Sequence, residues 1–169
     1  MSTTHMSRFI RPTLLLAALA LLLPILHAQQ PAPIPAPLLS AQKVFLANGG
    51  ADPISMNAFK KAAQVNEPYN SLYIALQNWG HWQLAASPSD ADLILVVRFS
   101  APLIAGGIYD PQINLTILDG KTRSPIWTLT QPVEGAFRKA TWEKNYSDGT
   151  TSLVNQLKTL TAAPAAATP

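Results

Sequence analysis

Few side chains in this 169-residue chain are of the types that do chemistry. Cysteine is absent, which removes thiolate nucleophiles, thiolate zinc sites and any disulfide framework. Of three histidines, only His81 lies beyond residue 28. It stands in Trp79-Gly80-His81-Trp82, between two indoles at a helix-to-strand junction. As a general base it would need a neighbouring nucleophile and an orienting carboxylate. No serine has the Gly-x-Ser-x-Gly setting of an esterase nucleophile. The plainer expectation is a turn histidine partly packed on tryptophan, with a hydrolase using His81 as the alternative. A single imidazole without thiols also argues against a transition-metal site.

Asp90-Ala91-Asp92 puts two carboxylates on one side of an extended chain. Calcium wants six to eight oxygens, and no loop carries the D-x-D-x-D-G pattern with a distal Glu. Asp90 is expected in a turn and Asp92 at the start of a strand, where short polar groups bond locally. The glycine pairs Gly49-Gly50 and Gly106-Gly107 match no phosphate-cradling motif and read as positions of loop flexibility or of positive φ. Trp82, Trp127 and Tyr109 are the candidates for stacking on a glycan, against their commoner use as hydrophobic mass. Asn114-Leu-Thr and Asn145-Tyr-Ser match the glycosylation pattern, but Asn114 falls inside an expected strand. No catalytic, cofactor or metal-binding residue is therefore assigned.

The elements around these residues read as follows. Lys43–Ala47 is a short apolar strand ending at Asn48-Gly49-Gly50. Asp52-Pro53 resembles a helix start, with a weak helix to about Gln64. A better helix follows Asn66, with Tyr69, Leu72, Tyr73, Leu76 and Trp79 at helical spacing and Gly80 as the stop. Trp82–Ala86 reads as a strand. Asp92–Ser100 is apolar on both faces through Leu93 to Val97, which predicts a central strand covered at least partly on each side. Pro102–Pro111 reads as a loop. Gln112–Asp119 alternates, and Ser124–Val133 returns as its hairpin partner after Asp119-Gly120. A last helix covers about Ala140–Leu160, with Gly149 in its middle. The order predicts an α+β two-layer sandwich: a mixed sheet of about five strands with two or three helices on one face. Ser124–Val133 and Trp82–Ala86 are its candidate edges, where Pro125 and Pro132 would limit pairing.

Residues 1–28 read as a signal peptide. Arg8 and Arg11 precede the apolar run Leu14–Leu26, which is shorter than the roughly 20 residues of a membrane span. Cleavage is expected near Ala28. The prolines at 31, 33, 35 and 37 mark residues 29–39 as an extended spacer. The single domain is then 40–160, and 161–169 a disordered tail. The net charge of +3 falls to +1 without Arg8 and Arg11, too little for the electrostatic footprint of a nucleic-acid binder.

Several strings carry a resemblance: Lys43-Val-Phe, Tyr69-Asn-Ser-Leu-Tyr with Asn78-Trp-Gly, Ala91-Asp-Leu-Ile-Leu, Leu118-Asp-Gly-Lys-Thr, Ile126-Trp-Thr and Lys144-Asn-Tyr. Together they resemble a small exported, Acidobacteria-like bacterial family without an assigned activity. More distantly the chain is similar to periplasmic α+β modules of envelope lipoproteins and to the amino-terminal domain of TolB-like proteins. The resemblance implies a scaffold that binds other envelope components and brings no catalytic motif. The lipoproteins' anchoring cysteine is missing here. The expectation is a non-enzymatic periplasmic or secreted domain. It would meet an envelope protein partner, by strand addition at an exposed edge, with a glycan or peptidoglycan ligand as the alternative. Nucleic acid, cofactors and a membrane span in the mature chain are not expected.

Overall fold

The computed structural model describes residues 33–52, 55, 66–136 and 138–162. All but Pro33 belong to one compact unit, Ile34–Pro169. The expected signal peptide, most of the helix expected from Pro53 to about Gln64, and the tail beyond Ala162 lie outside the described residues.

The elements in chain order are α1 (Ala36–Ser40), β1 (Lys43–Ala51), α2 (Glu67–Trp79), β2 (Gln83–Leu84), a 3-10 turn (Pro88–Asp90), β3 (Leu93–Ser100), β4 (Leu103–Ile104), β5 (Ile108–Tyr109), β6 (Gln112–Asp119), β7 (Pro125–Pro132) and α3 (Lys139–Ala162). Five strands form one sheet in the order β2-β1-β3-β6-β7, and β4 and β5 form a separate two-stranded ribbon. β1 runs parallel to β2 and β3, while β6 is antiparallel to both β3 and β7, so the sheet is mixed as expected. β2 and β7 are its edges, in the two segments expected to hold them.

β3 is central because its sequence can be covered twice. Leu93, Leu95, Val97 and Phe99 lie on the helix side, where each is buried together with Val44 and Leu46 of β1 and Ile113, Leu115 and Ile117 of β6. Burying each such side chain is worth about 1.5–3 kcal/mol. The other face of β3 grades from buried Ile94 through half-buried Val96 to exposed Arg98. Leu72 and Leu76 of α2 and Trp142, Tyr146, Leu153 and Leu157 of α3 close the core from the helix side. Phe99 meets the rings of Trp142 and Tyr146 edge-on, at 6.5 and 5.7 Å between centroids. This arrangement is favoured by the ring quadrupoles.

Several local expectations need correction. Ala36–Ser40, which overlaps the extended spacer expected over 29–39, is a helix that seats Leu38 fully in the core. Pro37 sits at a helix start, where a missing N–H costs nothing. The strand expected over Trp82–Ala86 shrinks to Gln83–Leu84, since Trp82 turns inward and is buried. In α2, Tyr73 is 36% exposed rather than part of the buried stripe. Asn66 makes no side-chain cap; its Oδ1 instead accepts from the Asn48 amide at 2.7 Å. Gly149 does not split α3, which is continuous through it. A Cβ there would meet Ile113 and Val133 at 3.4 Å, so the glycine marks where the helix lies close on the sheet.

Candidate functional site

The reactive inventory is dispersed. His81 is exposed after α2, stacked on Trp79 at 4.8 Å and 15°, with Trp82 at 5.5 Å. It lines a shallow groove with Gln42, Lys43 and Gln83. None of the hydrogen bonds or ion pairs among the described residues joins it to a carboxylate. The orienting partner that a hydrolase reading requires is therefore not in place among those residues.

Asp90 and Asp92 do not work together. Asp90 closes the 3-10 turn, in which the Ser89 N–H donates to Ser87 Oγ at 3.3 Å. Asp92 Oδ2 accepts the backbone N–H groups of Gln42 and Lys43, both at 2.9 Å. Those two donors, Lys43 first, hold its carboxyl below the ordinary value of 3.8, against a smaller opposing effect of burial. Asp119 borders a second groove, of about 300 Å³, with Asp92 and Lys121. Its Oδ1 accepts from the Thr122 N–H at 2.7 Å and the Lys121 N–H at 2.9 Å, and the Thr122 N–H leads in lowering its pKa. Asp119 thus organises the turn after β6, and Asp92 ties the start of β3 to that of β1. Among the described residues no three His, Cys, Asp or Glu side chains gather as a metal site.

The aromatic candidates sit on separate elements. Trp82 is buried beside β2 at one sheet edge, Trp127 is half-buried on β7 at the other, and Tyr109 is on β5. They do not form one glycan-stacking row. Tyr146 is buried without a hydrogen-bond partner for its hydroxyl; this desolvation, with the Glu67 charge as a smaller cause, drives its phenol pKa up. Asn114 spends its amide on a cross-strand relay: its Nδ2 donates to Ser100 Oγ at 2.7 Å, and its Oδ1 accepts from Thr130 at 3.0 Å. Asn145 donates to the Glu134 carbonyl at 2.7 Å. Gly49 lies where a Cβ would come within 3.0 Å of Val96 and of the Val97 carbonyl.

The feature that stands apart is the β4–β5 ribbon, where only a loop was expected. Leu103 pairs with Tyr109 and Ile104 with Ile108 around Ala105-Gly106-Gly107. Gly106 and Gly107 take φ of 85° and 74°, which only glycine adopts freely. Cross-strand partners share a face, so Leu103 and Tyr109 point one way and Ile104 and Ile108 the other. All four are exposed, at 61%, 39%, 48% and 62%. No charged residue occurs between Arg98 and Asp110. The signal was present in the sequence as two apolar pairs flanking a glycine pair. The other exposed large apolar side chains among the described residues are Tyr73 and Ile74 on α2. Ile74 also lines a groove of about 300 Å³ between α2 and α3, with Trp79, Val154 and Lys158.

No helix among the described residues is long and apolar enough to cross a membrane. No protein-family model matches the sequence, and no curated protein matches it. Solved structures do resemble it. The PelC dodecamer of Paraburkholderia phytofirmans is 12% identical over 74% of this chain and 91% of its own, with a TM-score of 0.49. A DUF330 protein of Xanthomonas campestris is 12% identical over 78% and 89%, with a TM-score of 0.47. A lipoprotein of Neisseria meningitidis is 10% identical over 70% and 99%, with a TM-score of 0.39. The Acidobacteria-like and TolB-like resemblances rest on the sequence strings alone.

Proposed function

We propose that this is a non-enzymatic domain of the bacterial envelope that works by seating its β4–β5 ribbon on a protein partner. One observation carries the reading: four large apolar side chains are exposed on the two faces of one short ribbon. Large apolar side chains exposed together on a folded domain commonly mark an interaction site. A protein pocket suits this ribbon better than an anionic lipid surface, because its neighbouring charge is Asp110 and it carries no lysine or arginine. A glycan would call for polar side chains beside the aromatic ring, and Leu103, Ile104 and Ile108 offer none. Export rests on the leader expected over residues 1–28.

The test places a photoreactive amino acid at Ile108, and at Lys158 on α3 as a control, in the full chain expressed with its leader. A discrete protein adduct is expected from position 108 alone, lost when Leu103→Ser and Ile104→Ser are combined with it. Equal adducts from both positions, or binding to lipid vesicles in their place, would refute the ribbon as a protein-docking element. Substrate turnover by purified protein, abolished by His81→Ala, would refute the non-enzymatic assignment.

A further inference from the structure

β7 is an edge strand of eight residues without a charge, Pro125-Ile-Trp-Thr-Leu-Thr-Gln-Pro132. Natural sheets blunt such edges with lysine, bulges or a covering segment. Here the prolines stand at the two ends, and the one register irregularity against β6 lies near Pro125. Trp127–Gln131 is left as a regular, uncharged stretch.

The direction of its backbone groups follows from one hydrogen bond. The Val133 N–H donates to the Pro111 carbonyl at 2.8 Å, toward β6. Alternate residues of an antiparallel strand bond to the same side. Counting back, Gln131, Leu129 and Trp127 turn their backbone groups to Ile113, Leu115 and Ile117. Thr128 and Thr130 therefore turn N–H and C=O outward, and no other described strand pairs with that side.

We propose that β7 is a self-association edge, on which a second copy of this chain pairs antiparallel about a two-fold axis at Leu129. Thr128 of one copy then faces Thr130 of the other, twice over, which makes four N–H···O bonds and one continuous ten-stranded sheet. A strand that meets its own copy also meets its own charges, and β7 has none. Leu129 meets its symmetry mate, and Trp127 faces Gln131. The same axis brings Arg123, in the turn before β7, toward Glu134, just after it, so the flanking charges are opposite in sign at both ends. Pro132 ends the pairing on schedule: it has no N–H, and its carbonyl already accepts from Gln131 Nε2 at 3.1 Å.

Two variants test this by sedimentation and by thiol oxidation of the purified protein. Thr128→Pro removes only an outward N–H, since the inward ladder to β6 uses its neighbours. It is expected to weaken dimerisation at least tenfold while leaving the melting temperature of the monomer nearly unchanged. Leu129→Cys, in a chain without other cysteines, sits at the axis in a non-hydrogen-bonded pair. It is expected to oxidise to a covalent dimer far faster than Lys158→Cys. A protein monomeric at the highest concentration reached, with both thiols cross-linking at the same slow rate, overturns the proposal. So does a monomer in which Thr128→Pro abolishes pairing with a different chain, which would assign the edge to a foreign strand.

Discussion

The most severe single-methyl substitution expected in this fold is Gly120→Ala. Gly120 follows β6, is buried, and donates its N–H to the Asp92 carbonyl at 2.8 Å. A Cβ there would stand 2.1 Å from the Ala91 carbonyl oxygen and 2.7 Å from that of Asp92. Carbon–oxygen contacts in sheets settle no closer than about 3.3 Å, so the two segments must separate by about 1 Å. Neither can yield alone. Asp92 is tied to the start of β1 through Gln42 and Lys43 and also donates its own N–H to the Lys43 carbonyl at 2.9 Å. Overpacking of this kind costs about 1–3 kcal/mol, and the Gly120–Asp92 hydrogen bond adds about 1 kcal/mol. The sum, about 2–4 kcal/mol, is a large part of the stability of an ordinary domain. With a urea slope of about 1–3 kcal/mol per molar, the unfolding midpoint should fall by about 1 M or more. Gly135→Ala, where a Cβ meets nothing within 4 Å, is the control and should stay within about 0.5 kcal/mol. Matching midpoints for the two variants at unchanged slope would refute the close approach.

Two further substitutions probe the opposite sign and the effect of pH. Gly149→Ala should stabilise by up to about 1 kcal/mol in urea unfolding, because helix propensity improves and the new contacts to Ile113 and Val133 at 3.4 Å are ordinary; a loss would mean that α3 lies tighter on the sheet. Asp92 has a folded pKa below 3.8, so its contribution is present above that value and fades as pH falls through the lower folded one. Asp92→Asn should cost no more than about 1 kcal/mol at neutral pH, given the exposure of the carboxylate, and should make the fall in stability below about pH 4 shallower; an acid limb identical to the parent's would refute the assignment.

The sheet was legible because its sequence patterns are strict. Leu93–Val97 is apolar on both faces, and Gln112–Asp119 alternates; each leaves one placement that buries its apolar set. Gly80 stopped α2 in the left-handed conformation at φ 65°, as glycine after a helix does. What stayed hidden depends on tertiary contact. Nothing local in Gln29–Pro37 announces that Leu38 will be fully buried, and polyproline spacing outweighs a five-residue helix when neighbours are ignored. Tyr73 shares helical spacing with Leu72 and Leu76, yet the 36% exposure of its ring depends on how α2 rolls against α3. The β4–β5 ribbon escaped for a different reason. Its strands are two residues each, below the length at which alternation can be read, so only the paired Ile and Leu beside Gly106-Gly107 could have marked it. The polar candidates have structural work instead: Asp90 closes the 3-10 turn, Asp92 holds the start of β1, and Asn114 of the glycosylation match bonds across the sheet.

The β7 edge and the β4–β5 ribbon have a geometric relation that bears on what the protein could do. The β4–β5 ribbon leaves the sheet between the end of β3 and the start of β6. That is also where β7 finishes, since Gln112 pairs with Pro132. An antiparallel pairing of β7 about Leu129 reverses one copy against the other. The two ribbons would then lie at opposite ends of the joined sheet. Neither ribbon is part of the β7 edge, so pairing through that edge would leave both in place for a partner. A particle of that form carries two ribbons, so its hold on a partner with two sites would gain from effective concentration. An edge without gatekeeping charge and a ribbon without polar cover are each a hazard in isolation. Placed this way, the first fixes the valence of the second.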